Sequence, residues 1–250
     1  MHKVIQSILL GLAVMTPIYV NAQTGYQGSI NLHLLYGEDF VPAGTDLATL
    51  TTEHSGSFGA FEQFGFVDYF HETNTGETSA HTEWYPKVSL SRANGGDVGI
   101  GPLSDILLGG GINADFIEGD NPWVWLVGPT WKFTIPGFDN LQLETYYYKQ
   151  EGIEGEDFEG TYQITPSWDI TLPVSDQWRI RLTGFTDFIG DRGPGVSQVI
   201  TQPQFLVDIS NLWDNPGSIY AGTEWHYWRN QGGVEGVTES VPQLALRIEL

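Results

Sequence analysis

About a dozen stretches of this chain alternate apolar and polar residues at period two, and in each of them the charges keep to one parity. Alternate side chains of a strand face opposite sides of its sheet, so one whole face of the predicted fold is free of charge. That face holds Trp84, Val88 and Leu90; Trp125, Val127 and Trp131; Leu141, Leu143 and Tyr147; Tyr162, Ile164, Trp168 and Ile170. It continues through Trp178, Ile180, Leu182, Val199, Phe205, Val207, Ile209, Ile219, Trp225 and Tyr227. It also runs to the last residue, because VPQLALRIEL places Leu244, Leu246, Ile248 and Leu250 at every second position. Soluble domains usually fray into small polar residues at their ends. The opposite parity carries charges of both signs, among them Asp68, Glu83, Lys87, Asp105, Lys132, Glu144, Asp169, Arg179, Arg181, Asp187, Asp208, Glu224, Arg247 and Glu249.

The alternating segments begin near Gly25, Leu47, Gly59, Ala80, Leu103, Pro122, Asn140, Glu159, Gln177, Val196, Gly217 and Ser240, with Gly, Pro, Asn and Asp between them. A soluble sandwich also has one apolar and one polar face, so alternation leaves both architectures open. Three features favour an all-β, closed, up-and-down antiparallel transmembrane β-barrel of about 12 strands. The count is even, and short turns such as TIPGF and TLPVSDQ alternate with longer polar loops. Aromatics such as Trp123, Trp131, Trp168, Trp178, Trp225 and Tyr227 crowd the ends of the apolar face, as in interfacial girdles. A last strand that closes on the first also explains an apolar face carried to the terminus. About twelve strands roughly 4.8 Å apart and tilted near 40° give a backbone diameter of about 24 Å, which side chains narrow to a slot. Five prolines on the apolar parity, Pro86, Pro129, Pro166, Pro203 and Pro242, cannot donate to a ladder and are expected at bulges or strand ends.

The first residues fit a secretory signal: His2 and Lys3, the apolar run ILLGLAVM, then VNA before Gln23. That run is well short of the roughly 20 residues a membrane-spanning helix needs. The expected organisation is a signal peptide over 1–22 and one barrel domain over 23–250. With 31 Gly, 13 Pro and no Cys, the chain has no disulfide scaffold and no thiol chemistry. The formal net charge of −21 excludes nucleic acid as a partner and disfavours anionic solutes. The acidic run EGIEGEDFEG, with Glu151, Glu154, Glu156, Asp157 and Glu159, lacks the ligand spacing of an EF-hand and reads as a solvated loop.

FGAFEQFGFVDYF followed by EWYPKVSLSRANGGDVGIGPLSDILLGGGI resembles the nucleoside-specific channel-forming outer-membrane proteins, the Tsx-like family. The resemblance rests on an aromatic-Gly-aromatic-x-Asp strand at Phe64 to Asp68, a Glu-x-x-Pro-basic-x-Ser strand at Glu83 to Ser89, and Gly101 with Pro102 in a turn. TGFTDF at 183–188, TQPQFLVDI at 201–209 and YWRNQGG at 227–233 follow in order. One departure is Leu250, where such barrels end in an aromatic residue read by the insertion machinery. The resemblance implies an outer-membrane channel of a Gram-negative bacterium that passes nucleosides by facilitated diffusion, with no enzymatic activity and no cofactor. The implied partners are nucleosides, outer-membrane lipid and the insertion machinery, and the outer loops are where a phage or toxin would attach. Both termini are then periplasmic, and the loops after odd-numbered strands, 151–159 included, face outward.

A nucleoside needs π faces for its base and hydrogen-bonding groups for its sugar. Phe64, Phe66 and Asp68 share the inward parity, as do Glu83, Tyr85 and Lys87. Carried over from the family motif, the aromatics of these six form a stacking surface and the ions a sugar-binding ladder. The same ions could equally serve only to fill a polar interior, with Asp68 paired to Lys87. Tyr146 and Tyr148, and Glu224, His226 and Trp228, join the candidates by parity. Hydrolase chemistry has no Gly-x-Ser-x-Gly segment behind it, and the scattered histidines lack a zinc-site spacing. The competing class is a secreted Trp-rich β-sandwich that binds carbohydrate. Detergent separates the two: the barrel is expected to precipitate once detergent is removed, whereas a sandwich stays in solution.

Overall fold

In the computed structural model, residues 25–41, 44–117, 121–153, 157–175, 178–193, 195–213 and 215–250 are described. The signal segment and Glu154 and Glu156 of the acidic run lie outside them. The strands are β1 Gln27–Phe40, β2 Thr45–Phe58, β3 Phe61–Glu72, β4 Thr78–Ser89, β5 Leu103–Phe116, β6 Trp123–Phe133 and β7 Asn140–Glu151. They continue with β8 Thr161–Pro173, β9 Arg179–Ile189, β10 Gln198–Thr201, β11 Gln204–Asp208, β12 Ile219–Arg229 and β13 Thr238–Glu249. Each pairs antiparallel with its sequence neighbour, and β10 and β11 are two halves of one stave, both lying between β9 and β12. The last strand closes on the first, from Asn31 opposite Glu249 to Tyr36 opposite Leu244. The result is a closed barrel of twelve staves. The end that holds Gln27 and Glu249 is called the base here, and the opposite end the rim.

Burial is inverted relative to a soluble protein. Leu34, Leu50, Trp84, Leu108, Ile112, Val127, Tyr162, Phe205 and Leu244 are exposed, whereas Asn31, Lys87, Thr130, Glu144, Gln163, Glu224, Gln243 and Arg247 are buried. Every one of these residues falls on the side its parity assigns. Trp123 and Tyr227 lie toward the rim, and Trp131 and Trp168 toward the base, as two interfacial girdles require. Leu90 is an exception to the parity reading, because β4 ends at Ser89 and Leu90 opens the short helix α1, Leu90–Asn94. The Ser89 side chain caps that helix by accepting from Arg92 N at 3.1 Å, and Gly95 ends it in the left-handed region at φ 68°.

Two further expectations change. Connections do not simply alternate short and long, since the longest, 90–102, lies at the base. It is folded back by α1 and by Asp105, which accepts from the Ser91 amide at 3.0 Å. The prolines do not sit in bulges. Pro86 faces Gln63 and Pro129 faces Leu108 within strands, and Pro166 faces Leu143 likewise. On its other side each interrupts the ladder, between Trp84 and Lys87, Val127 and Thr130, and Ile164 and Ser167, and the register then resumes unshifted. A missing N–H thus removes one bond on one side, and the stave continues. Pro203 marks the break between β10 and β11, but its carbonyl still accepts from Trp225 at 3.0 Å.

The inverted burial makes a depth-dependent prediction. Val127→Arg, on the outward face in the middle of β6, is expected to cost ~2–4 kcal/mol of folding stability in lipid, and Val88→Arg, near the base end of β4, only ~0–1 kcal/mol. Urea-induced unfolding from lipid vesicles measures both, and equal costs would contradict the outward, lipid-facing assignment.

Candidate functional site

A cavity of about 1420 Å³ runs through the barrel, lined at the base by Gln27, Asn140 and Leu250 and at the rim by Val41, Ile117 and Gln231. Nine of the eleven residues singled out by the sequence line it: Phe64, Phe66 and Asp68 from β3, Glu83, Tyr85 and Lys87 from β4, and Glu224, His226 and Trp228 from β12. Tyr148 and Tyr146 do not, and Tyr146 shows why. Its side chain points inward, as parity requires, but it is only 2% exposed and packs with Tyr85, Leu126, Tyr148 and Ile189. Its hydroxyl shares a 2.6 Å hydrogen bond with Thr130. This cluster fills the sector under β5 and β6, so that of these strands only Asp115 of β5 and Lys132 of β6 reach the cavity, with Ile117 just past the end of β5.

The aromatic wall is built from neighbouring strands. Phe64 and Phe66 are two residues apart on β3 with centroids 6.1 Å apart, and Phe64 stacks on Tyr85 of β4 at 6.4 Å. Tyr85 stacks in turn on Tyr146 at 6.4 Å and 19°. This reach across two intervening strands depends on a glycine. A Cβ on Gly111 of β5 would stand 2.4 Å from the Tyr85 ring, so the ring can lie flat only over a residue without a side chain. Nothing in the local sequence of β4 signals this. The clue was the run Gly109-Gly110-Gly111, whose inward members face Lys87 and Tyr85.

The polar lumen satisfies itself by chords between strands. Lys87 pairs with Glu144 across β5 and β6, and both are buried. Glu62 takes Lys132 at 3.1 Å together with Arg92. Arg181 pairs with Asp169 and Glu249, and Arg247 with Glu249 at 3.1 Å and Glu53 at 3.4 Å. An Asp68–Lys87 pair is not formed; Asp68 accepts from the Thr51 hydroxyl instead. Toward the rim, Glu83 accepts from Tyr85 at 2.7 Å, and His81 lies 3.0 Å from Glu83 and 2.6 Å from Asp115. Glu224 accepts from Gln204 at 2.7 Å and Gln243 at 2.9 Å, and Asp187 takes Thr165 and Gln163. His226 is 2.7 Å from Glu239 and 2.8 Å from Gln202, so it serves Glu239 rather than the adjacent Glu224. Glu144, Asp187, Gln204 and Gln243 were missed as site residues. Inward parity was their signal, but neither a motif nor a near neighbour in sequence marked them out.

A closed barrel with an apolar exterior and a hydrogen-bonded polar interior leaves no unpaired strand edge in hydrocarbon. The chain is a closed transmembrane β-barrel. No protein-family model matches it, and no curated protein matches it. Among solved structures it is similar to the KdgM porin and to the KdgM porin in complex with disordered oligogalacturonate, each at 10% identity over 89% of this chain and 99% of that one, with a TM-score of 0.47. It is also similar to the outer-membrane expressed OmpT of Vibrio cholerae, at 11% identity over 90% of this chain and 97% of that one, with a TM-score of 0.41.

At the rim, Arg192 ties three loops together. Its Nη2 donates to the Gly232 carbonyl at 2.6 Å, its guanidinium lies 4.7 Å over the Phe158 ring, and its own carbonyl accepts from Glu159 at 2.7 Å. Burial lowers the pKa of this guanidinium from its ordinary value.

The chord between Lys87 and Glu144 predicts a specific mutational pattern. Lys87→Met leaves a buried carboxylate without its partner and is expected to cost ~3–5 kcal/mol, whereas Lys87→Met with Glu144→Leu recovers most of that loss. Unfolding of both variants in detergent micelles tests the pairing; additive losses would show that the two side chains act independently.

Proposed function

We propose that the protein is a non-enzymatic outer-membrane channel that passes small neutral solutes, nucleosides foremost, by facilitated diffusion. The observation that carries this reading is the contiguous aromatic surface of Phe64, Phe66 and Tyr85 on the wall of a cavity that reaches both ends of the barrel. A flat base can stack on such a surface for roughly 1–3 kcal/mol, enough to select and weak enough to release. Asp68 and Glu83 stand beside it as acceptors for sugar hydroxyls, and Trp228 of β12 adds a further ring to the lining. The absence of chemistry is supported by the surroundings of the inward-facing histidines: His81 and His226 are held by carboxylates and an amide, and His33 stands 3.9 Å from Glu53, rather than beside a nucleophilic hydroxyl. With the base in the periplasm, the rim loops face the exterior, where a phage or toxin would attach. The insertion machinery then meets β13, whose pairing with β1 completes the barrel.

Phe66→Ala is expected to raise the nucleoside concentration that half-blocks ion current about five- to a hundredfold, with ion conductance equal or higher. Tyr69→Ala, on the outward parity of the same strand, is expected to impair assembly or stability and leave block unchanged in the molecules that insert. Single-channel recording in planar bilayers reads both. Equal shifts in the two variants, or none in either, would remove the stacking surface from the reading.

A further inference from the structure

Charge in the lumen is sorted along the barrel axis. Odd-numbered staves run from base to rim and even-numbered ones return, so a residue's position in its strand gives its height. On each strand that carries a cavity-lining lysine or arginine, the cation lies in the base half: Lys87 on β4, Lys132 on β6, Arg181 on β9 and Arg247 on β13. Each of these four is matched by a carboxylate, through the chords to Glu144, Glu62, Asp169, Glu249 and Glu53. The base half is a neutralised zone.

The rim half is different. Asp68 on β3, Glu83 on β4, Asp187 on β9 and Glu224 on β12 line the cavity there, with Asp115 and Glu239 nearer the mouth. Among the described residues no lysine or arginine lines this half. Lys149 and Arg229 sit on the outward parity at the rim ends of β7 and β12, so the outward face is not free of charge there as the alternation predicts, and Arg192 is turned under Phe158 and Gly232. The partners of the four girdle carboxylates are hydroxyls, amides and His81, and the two histidines of this zone face three carboxylates between them, Glu83, Asp115 and Glu239. The lysines and arginines that neutralise the base half have no counterpart here among the described residues. A second feature points to the same kind of solute: Trp228 lines this half, Phe66 and Tyr85 stand at mid-barrel just below it, and ring faces attract cations. The buried amide oxygen of Gln204, bound by nothing among the described residues, adds an acceptor beside Glu224.

We propose that the lumen is a cation-selective passage whose rim half admits small organic ammonium solutes ahead of anionic ones of similar size, with Asp68, Glu83, Asp187 and Glu224 as its selectivity-determining residues. Carboxylate rings set cation preference in narrow pores, and low-dielectric walls strengthen their field. The inference goes beyond nucleoside passage and rests on the reading that the lumen conducts; a neutral base can stack on Phe66 whichever ion carries the current.

The test is the reversal potential of the wild-type barrel in a planar bilayer under a tenfold potassium chloride gradient. The expected permeability ratio of potassium over chloride is about fivefold or more, and choline chloride is expected to carry current within about threefold of potassium chloride. Asp187→Asn combined with Glu83→Gln is expected to lower the cation preference at least about twofold, and Asp97→Asn, in the base connection, to leave it unchanged. A ratio of one or an anion preference in the wild type overturns the inference while leaving the channel in place. Choline conductance more than about tenfold below that of potassium overturns the organic-cation preference. If no conductance steps occur at all, the channel reading falls and this inference with it.

Discussion

The pairing of the last strand with the first governs this molecule. Backbone N–H and C=O groups exposed to hydrocarbon cost several kcal/mol each, so a sheet can reside in a bilayer only without edges. Here the register from Asn31–Glu249 to Tyr36–Leu244 removes the two edges that the preceding eleven pairings leave. Closure fixes the number of staves and therefore the width of the lumen. It also commits every residue to one of two environments, because a strand in a closed barrel has an inside and an outside and no third choice.

That commitment inverts the usual packing problem. Apolar residues face outward and need no partners beyond lipid, so tertiary specificity falls to the interior, where polar groups must satisfy one another. They do so by long side chains that span intervening strands, as in Lys87 to Glu144, Lys132 to Glu62 and Arg181 to Glu249. One sector is handled differently, with Tyr85, Tyr146, Tyr148, Leu126 and Ile189 forming a small conventional core inside the barrel. The core narrows the passage to the remaining sector and gives the half-buried Phe64 a rigid backing. Chords near the base and a packed core on one side leave the rim half of the passage to aromatic faces and carboxylates.

The two devices rely on opposite uses of the backbone. At Gly111 the absence of a side chain lets Tyr85 lie flat and reach Tyr146 two strands away. At Gly184, φ of 150° and the approach of Pro203 leave no room for a Cβ where the tenth stave is broken. The prolines on the outer face each cost one ladder bond and leave the register intact, which a barrel with two neighbours per strand can tolerate.

The alternation by itself determined the approximate strand count and the outward and inward sets, because side-chain direction follows from backbone period alone; the closed architecture needed the even count, the aromatic ends of the apolar face and the apolar last strand besides. It also determined that Phe64, Phe66, Asp68, Glu83, Tyr85, Lys87, Glu224, His226 and Trp228 point inward. Tyr146 shows where that reasoning stops: parity gives the side of the wall but not whether the space beyond is water or another side chain. Only the tertiary structure decided that Tyr146 is packed, that Lys87 belongs to Glu144 rather than Asp68, and that lumen cations collect near the base. Those outcomes depend on which residues meet across two or more intervening strands, and such meetings are set by register and closure, which join positions far apart in the chain.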